Sequence, residues 1–87
     1  MSYAEIRNDI HHTISQIAQV QAWLRTIQTD IDMMHARMVI TSQGSTNEQL
    51  LEGVARLSLA RKEPERLVVL LQASKDNLYN YLEQHSA

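Results

Sequence analysis

The sequence predicts an all-α protein, an antiparallel two-helix hairpin, on three observations. One turn-forming segment, Ser42–Asn47, divides the 87 residues near their midpoint. Apolar residues recur at alternating steps of three and four along both halves, as in a coiled coil. Only two glycines and one proline are present to interrupt a helix. These features predict a single domain over residues 1–87, with a helix at 3–42, a turn at 43–45 and a helix at 46–84.

The first half carries the more regular apolar pattern. Ser2 and Glu5 have the spacing of a capping box, so the first helix is expected to begin at Tyr3. Two rows of seven-residue repeats follow and form the predicted seam: Tyr3, Ile10, Ile17, Leu24, Ile31 and Met38 in one row, and Ile6, Thr13, Val20, Ile27 and Met34 in the companion row. We expect both rows to face the second half.

The second half begins with turn and capping signals and continues with a less perfect seam. Gly44 is expected to end the first helix at positive φ, and Ser45 and Glu48 repeat the capping-box spacing. Folding the chain back at Gly44 brings apolar residues of the two halves to the same level. The second seam consists of Leu50, Leu57, Pro64, Leu71 and Leu78, with a companion row of Val54, Arg61, Val68, Lys75 and Leu82.

Pro64 is the irregular position of the second helix. Proline lacks an amide donor and clashes with the carbonyl four residues back, so an uninterrupted straight helix is not expected there. Either the helix is kinked near Pro64, or it breaks and Pro64 starts a third helix. A kink is favoured, because the preceding segment, Arg61-Lys62-Glu63, offers no good N-cap. A break would also be expected to fold the third helix away from the first.

Residues that could carry chemistry are sparse and scattered. The chain has no cysteine, which excludes disulfides, thiolate metal sites and a cysteine nucleophile. The pairs Asp9/His12 and Asp32/His35 have i,i+3 spacing, but each supplies too few ligands for a closed metal site. No carboxylate pair lies in an apolar run that would shift a pKa. We therefore expect a non-enzymatic protein with no catalytic residues, no cofactor, no metal and no small-molecule substrate.

Charge and hydropathy argue against nucleic acid and membrane partners. The net charge is −2, and the basic residues alternate with acidic ones instead of forming a stripe. No apolar stretch approaches the length of a membrane span, and the N-terminal residues do not resemble a secretory signal. The expected location is the cytoplasm, with export without a cleavable signal peptide as the alternative.

Apolar residues outside the seams predict a protein partner. Trp23 has two interpretations: it covers the kink at Pro64 within the chain, or it anchors an interface, as aromatic residues often do. A two-helix hairpin of this size also has no second layer to cover its apolar surface. Pairing with a second chain, identical or different, into a four-helix bundle would provide one. The predicted interface residues are Trp23, Leu67, Val69, Leu70 and Tyr81.

Two helices of nearly equal length around a central glycine turn, in fewer than 100 residues, resemble the WXG (ESAT-type) family of small type VII secretion proteins. The family's Trp-x-Gly turn reads Ser42-Gln43-Gly44-Ser45 here, so only Gly44 corresponds. The family's C-terminal export motif, Tyr-x-x-x-Asp/Glu, matches Tyr79 and Glu83. The resemblance implies a secretion-associated interaction protein or its partner. A helical chaperone or adaptor of a secreted effector and a structural coiled-coil subunit of a larger complex are the alternatives.

Overall fold

The computed structural model describes residues 2–85, which form three helices and no strand. Helix α1 spans Tyr3–Thr41, α2 spans Glu48–Ala60 and α3 spans Glu63–Gln84. Helices α2 and α3 follow one another along α1 and form a single second arm, so the predicted antiparallel hairpin is confirmed. The molecule measures 65 × 18 × 15 Å, which is two helices wide and one helix thick.

Side chains and one glycine set the ends of the helices at the turn. Gly44 has φ +76°, the conformation expected of the residue that ends α1. The Asn47 side chain accepts a hydrogen bond from the Leu50 amide at 3.1 Å and is the N-cap of α2. Ser45, the predicted cap, instead accepts a bond from the Asn47 amide at 3.1 Å. Helix α2 therefore begins at Glu48, two residues later than predicted.

The N-terminal end of α1 is capped as predicted. The Ser2 hydroxyl accepts a hydrogen bond from the Glu5 amide at 3.2 Å, and Ser2 has extended backbone angles. This bond satisfies one of the amides that the first helical turn leaves without an intrahelical acceptor.

The irregularity at Pro64 takes the form of a two-residue interruption. Helix α2 ends at Ala60, the residue whose carbonyl the missing Pro64 amide would have bonded, and α3 begins at Glu63. Arg61 and Lys62 keep right-handed helical angles between them. The chain direction is therefore retained and α3 continues along α1. The expectation that an interruption would fold the third helix away from the first is wrong.

On α1, two rows of residues form the contact with the second arm. One of them is a predicted row, and the other is not. Within the described residues, the buried side chains are those of Ile14, Ile17, Gln21 and Pro64. The row containing Ile17 is buried or half-buried beyond Tyr3, as predicted. In the predicted companion row Ile6 is half-buried, but Thr13, Val20, Ile27 and Met34 are exposed, so beyond Ile6 the prediction is wrong by one residue. The row that faces the second arm instead consists of Ile14, Gln21, Gln28, His35 and Ser42.

Candidate protein interface

The hairpin has two broad faces. The positions of the residues that form the contact between the arms show which side chains lie on each face. Successive helical residues are about 100° apart. Since Ile17 and Gln21 face the second arm, Trp23 and Arg25 project from opposite edges of that contact. Because α3 runs antiparallel, Leu67 projects on the Trp23 side and Glu65 on the Arg25 side. The structure supports this division, since Arg25 and Glu65 line one cavity together with Leu24, Gln28, Pro64 and Val68.

We call the side that carries Trp23 the apolar face. On α1 its side chains follow the helical steps of three, four and seven that keep residues on one stripe. On α3 it continues with Leu67 and Leu70 at the same level as Trp23. All of these side chains are exposed, Trp23 to 56% and Leu70 to 58%. The apolar face is defined by Val20, Trp23, Ile27, Met34, Leu67 and Leu70.

The sequence identified half of this face. Trp23, Leu67 and Leu70 were predicted as interface residues, and the structure brings them to one side of the hairpin. The sequence pattern places Val20, Ile27 and Met34 in the seam within the chain, whereas the structure exposes them on this face. The signal that could have found them is the polar row beside them, because Gln21, Gln28 and His35 share the helical spacing of a contact row.

Of the other two predicted interface residues, Val69 lies on another side of α3, whereas Tyr81 lies on the same side as Leu70, three turns farther along the helix. Val69 is 63% exposed but, one residue from Leu70, projects away from the apolar face. Tyr81 is half-buried, and its ring lies 4.3 Å from that of His85, centroid to centroid. Tyr79 and Glu83, the predicted export motif, are exposed and one turn apart on α3.

Trp23 does not cover the interruption at Pro64. The α1 residues that line the cavity beside Pro64 are Leu24 and Gln28, which belong to the contact with the second arm, and Arg25, which projects on the side away from Trp23. With more than half of its surface exposed, Trp23 does not have the burial expected of an intramolecular lid. The surface of its indole remains free for contact with another molecule.

The opposite face, which we call the polar face, carries a charged cluster that joins the two arms. Arg61 Nε donates to Asp32 Oδ1 at 2.9 Å, and Gln28 Nε2 donates to the same oxygen at 3.0 Å. Arg61 Nη1 lies 3.3 Å from His35 Nδ1, which must accept because a guanidinium has no acceptor. The hydrogen bond from Arg61 lowers the pKa of the Asp32 carboxyl below its usual range, although burial acts in the opposite direction. Asp32 and His35 are thus joined through Arg61, in a contact between the two arms.

Residues 2–85 contain no group of three or more histidine, aspartate or glutamate side chains placed to hold a metal ion. None of the described helices has the length and apolar composition needed to cross a membrane. Comparison of the chain with protein-family models, curated proteins and solved structures finds no match.

Proposed function

We propose that this chain is a non-enzymatic helical protein–protein interaction module associated with protein secretion, as a small type VII-like protein or as the partner of one. The observation that carries the proposal is the apolar face. It joins six exposed apolar side chains from two helices, and contiguous apolar surface of this kind on a small protein is typical of association sites. Trp23 supplies the aromatic anchor that protein interfaces often use.

The association with secretion is supported by the family resemblance and by the position of Tyr79 and Glu83. Both side chains are exposed at the end of the hairpin opposite Gly44, where a secretion receptor could reach them. The apolar face is centred farther along the hairpin, so one chain could use both surfaces at the same time.

A helical chaperone or adaptor of a secreted effector is the second candidate. It is favoured by apolar side chains on α3 that project away from the apolar face. Val69 and Tyr79 are 63% and 51% exposed, so a client chain could cover them while the apolar face is occupied. A structural coiled-coil subunit would use the same surfaces without any link to export.

The test is crosslinking and capture in the cells that make the protein. Cells carry two differently tagged copies of the chain, so that capture of a second copy and capture of another protein are both scored. We expect the wild-type chain to retain a partner and Leu70→Glu to lose at least nine-tenths of it, because a charge in the apolar face costs free energy to desolvate. Leu59→Glu is the matched control. Leu59 is 64% exposed and lies about 200° around α2 from the contact residue Leu57.

The same cultures test the association with secretion. We expect the chain or its captured partner in the medium, and at least a tenfold loss for Tyr79→Ala but not for the neighbouring Asn80→Ala. If no protein and no second copy is captured, the interaction-module proposal is wrong. If capture is normal but neither protein reaches the medium, the chain is a structural coiled-coil subunit.

A further inference from the structure

We propose that His35 and Arg61 form a pH-sensitive latch between the two arms: protonation of His35 releases Arg61, and α2 then separates from α1 while α3 stays in place. This inference goes beyond the proposed function, because it does not depend on which protein the chain binds. Three observations carry it: the weak packing of α2, the position of Arg61 at the interruption of the second arm, and the hydrogen bonds that Arg61 makes.

Helix α2 is the less firmly packed part of the second arm. It has 13 residues, none of which is buried, and Leu50, Val54 and Leu57 are half-buried against α1. A helix of this length is only marginally stable in water without tertiary contacts. Helix α3 is longer, buries Pro64 and accepts hydrogen bonds from Gln21. Since segments with few buried apolar contacts open first, α2 is expected to separate before α3.

Arg61 lies at the boundary between these two segments. With Lys62 it separates α2 from α3, and Lys62, the N-cap of α3, makes no side-chain capping hydrogen bond. Among the described residues, the hydrogen bonds that join α1 to the segment 48–62 are those of Arg61 to Asp32 and His35. Loss of these bonds would leave α2 attached to α1 by half-buried apolar side chains and the turn.

The protonation state of His35 decides whether it can hold Arg61. Its Nδ1 accepts from Arg61 Nη1 at 3.3 Å, so that nitrogen carries no proton in this structure. In an imidazolium both ring nitrogens are donors, so this hydrogen bond is lost and two positive charges lie side by side. Asp32, one turn away on α1, can then pair with His35 within the helix. Protonated His35 is more stable once Arg61 has left, because Asp32 still attracts it and Arg61 no longer repels it.

His35 is the member of the cluster expected to change its charge between pH 8 and pH 5.5. Histidine ordinarily titrates in this range, whereas carboxylate, ammonium and guanidinium groups ordinarily keep their charge. The hydrogen bond from Arg61 lowers the pKa of Asp32 below its usual range, so this carboxylate stays ionised. The remaining charged residues of α2 and of the cleft around Asp32 are Glu48, Glu52, Arg56, Lys62 and Glu65.

The test measures distances between nitroxide spin labels in the full-length chain by pulsed electron paramagnetic resonance. Ala36→Cys with Ala55→Cys places labels on α1 and α2, and Ala18→Cys with Ser74→Cys places them on α1 and α3. All four positions are exposed, and the chain has no cysteine of its own. Excess unlabelled chain ensures that only distances within one chain are measured. We expect the population with a long 36–55 distance to be at least three times larger at pH 5.5 than at pH 8, with the 18–74 distance unchanged.

Three substitutions separate the latch from a general effect of acid. His35→Gln keeps an acceptor for Arg61 and cannot be protonated, so it should stay closed at pH 5.5. His12→Gln is the matched control, because His12 is an exposed histidine of α1, and it should open as the wild type does. Arg61→Gln removes both the contact and the repulsion, so its open population should exceed that of the wild type at pH 8 and should not change with pH.

If His35→Gln does not fold, nuclear magnetic resonance of the histidine rings in the wild-type chain takes its place. The pH midpoint of the opening should coincide with the titration of the His35 ring. A midpoint that instead follows His11, His12 or His85 would overturn the proposal.

Three further results would also overturn it. A 36–55 distance that is the same at both pH values means that α2 stays in place when His35 is protonated. Opening that persists in His35→Gln has another cause. An increase in both the 36–55 and the 18–74 distance at pH 5.5 is acid unfolding of the hairpin and not the release of α2.

Discussion

Gln21 has the least exposed side chain among the buried residues of α1, at 2%. Its Nε2 donates to the Val68 carbonyl at 3.1 Å and to Gln72 Oε1 at 3.3 Å, so it is hydrogen-bonded on the second arm. Polar residues at such positions in coiled coils fix the alignment of the helices and lower stability relative to an apolar residue. We interpret Gln21 as a residue that sets the register of the two arms.

Gln21→Leu should therefore be neutral or stabilising, by up to about 1 kcal/mol, whereas Gln21→Ala should destabilise by about 2 kcal/mol through loss of packing. Leucine has a volume similar to that of glutamine. Its introduction leaves no buried hydrogen-bonding group without a partner. The Val68 carbonyl lies within α3, where it can accept the bond of the helix itself, and Gln72 is exposed and donates to Asp76.

Urea unfolding measures both free energies, and spin labels on cysteines at positions 28 and 58 report the register. Gln28 and Ser58 line one cleft on opposite arms, and the chain has no cysteine of its own. We expect a broader distance distribution in Gln21→Leu. A loss of 2 kcal/mol or more in Gln21→Leu would instead show that the amide contributes mainly to stability.

At the level of the helices, the two glycines have opposite structural roles. Gly44 stands at φ +76° in the turn, and Gly53 lies within α2. A Cβ built on either residue would have no heavy atom within 4 Å, so crowding does not distinguish them. The effect of an added side chain on stability therefore depends only on the backbone conformation at each glycine.

We expect Gly44→Ala to destabilise the protein by about 1–2 kcal/mol, because alanine is strained at positive φ. Gly53→Ala should stabilise it by about 0.5–1 kcal/mol, since glycine is unfavourable inside a helix. Thermal unfolding of the two variants beside the wild type measures the difference. If the Tm values of both variants shifted in the same direction, the result would contradict the positive φ of Gly44 in the turn.

The helices themselves could be predicted from the sequence because their signals are local. The Ser2 cap, the turn at Gly44 and the apolar repeat all act within a few residues, and the hairpin follows from them. The cap of α2 was misplaced because Ser45 and Asn47 both have suitable side chains, and only the three-dimensional turn decides between them. The interruption before Pro64 kept the direction of the chain, because Arg61 and Lys62 remain in helical conformation.

The face of α1 that meets the second arm could not be predicted in the same way. Its sequence has an apolar row at Ile10, Ile17 and Leu24 with a candidate companion row on each side. Periodicity favours the more apolar companion, which contains Val20 and Ile27. The folded chain places the companion with Gln21 between the arms, where hydrogen bonds to α3 satisfy it. The row with Val20 and Ile27 is apolar, as the sequence shows, but it is exposed and does not form the contact between the arms.

At the scale of the whole molecule, this choice leaves a hairpin with apolar residues between its arms, a second set on the apolar face, and others, such as Val69 and Leu59, exposed elsewhere. The radius of gyration is 19.7 Å, whereas a compact domain of 87 residues has about 12 Å. An elongated body with a thin core derives little stability from its own packing. Covering the apolar face would therefore contribute a large part of the free energy of folding.

If two copies bind through the apolar face, the stability of the fold must depend on protein concentration, because dissociation and unfolding are linked by mass action. Each tenfold dilution lowers the free energy of unfolding the dimer by about 1.4 kcal/mol, which corresponds to a fall in Tm of about 3–6 °C. Circular dichroism at 222 nm over a hundredfold concentration range measures this fall. Leu70→Glu should abolish the concentration dependence and unfold at or below the Tm of the most dilute wild type, whereas Leu59→Glu should retain the wild-type slope. A wild-type Tm independent of concentration would mean that the thin core between the arms suffices to hold the hairpin.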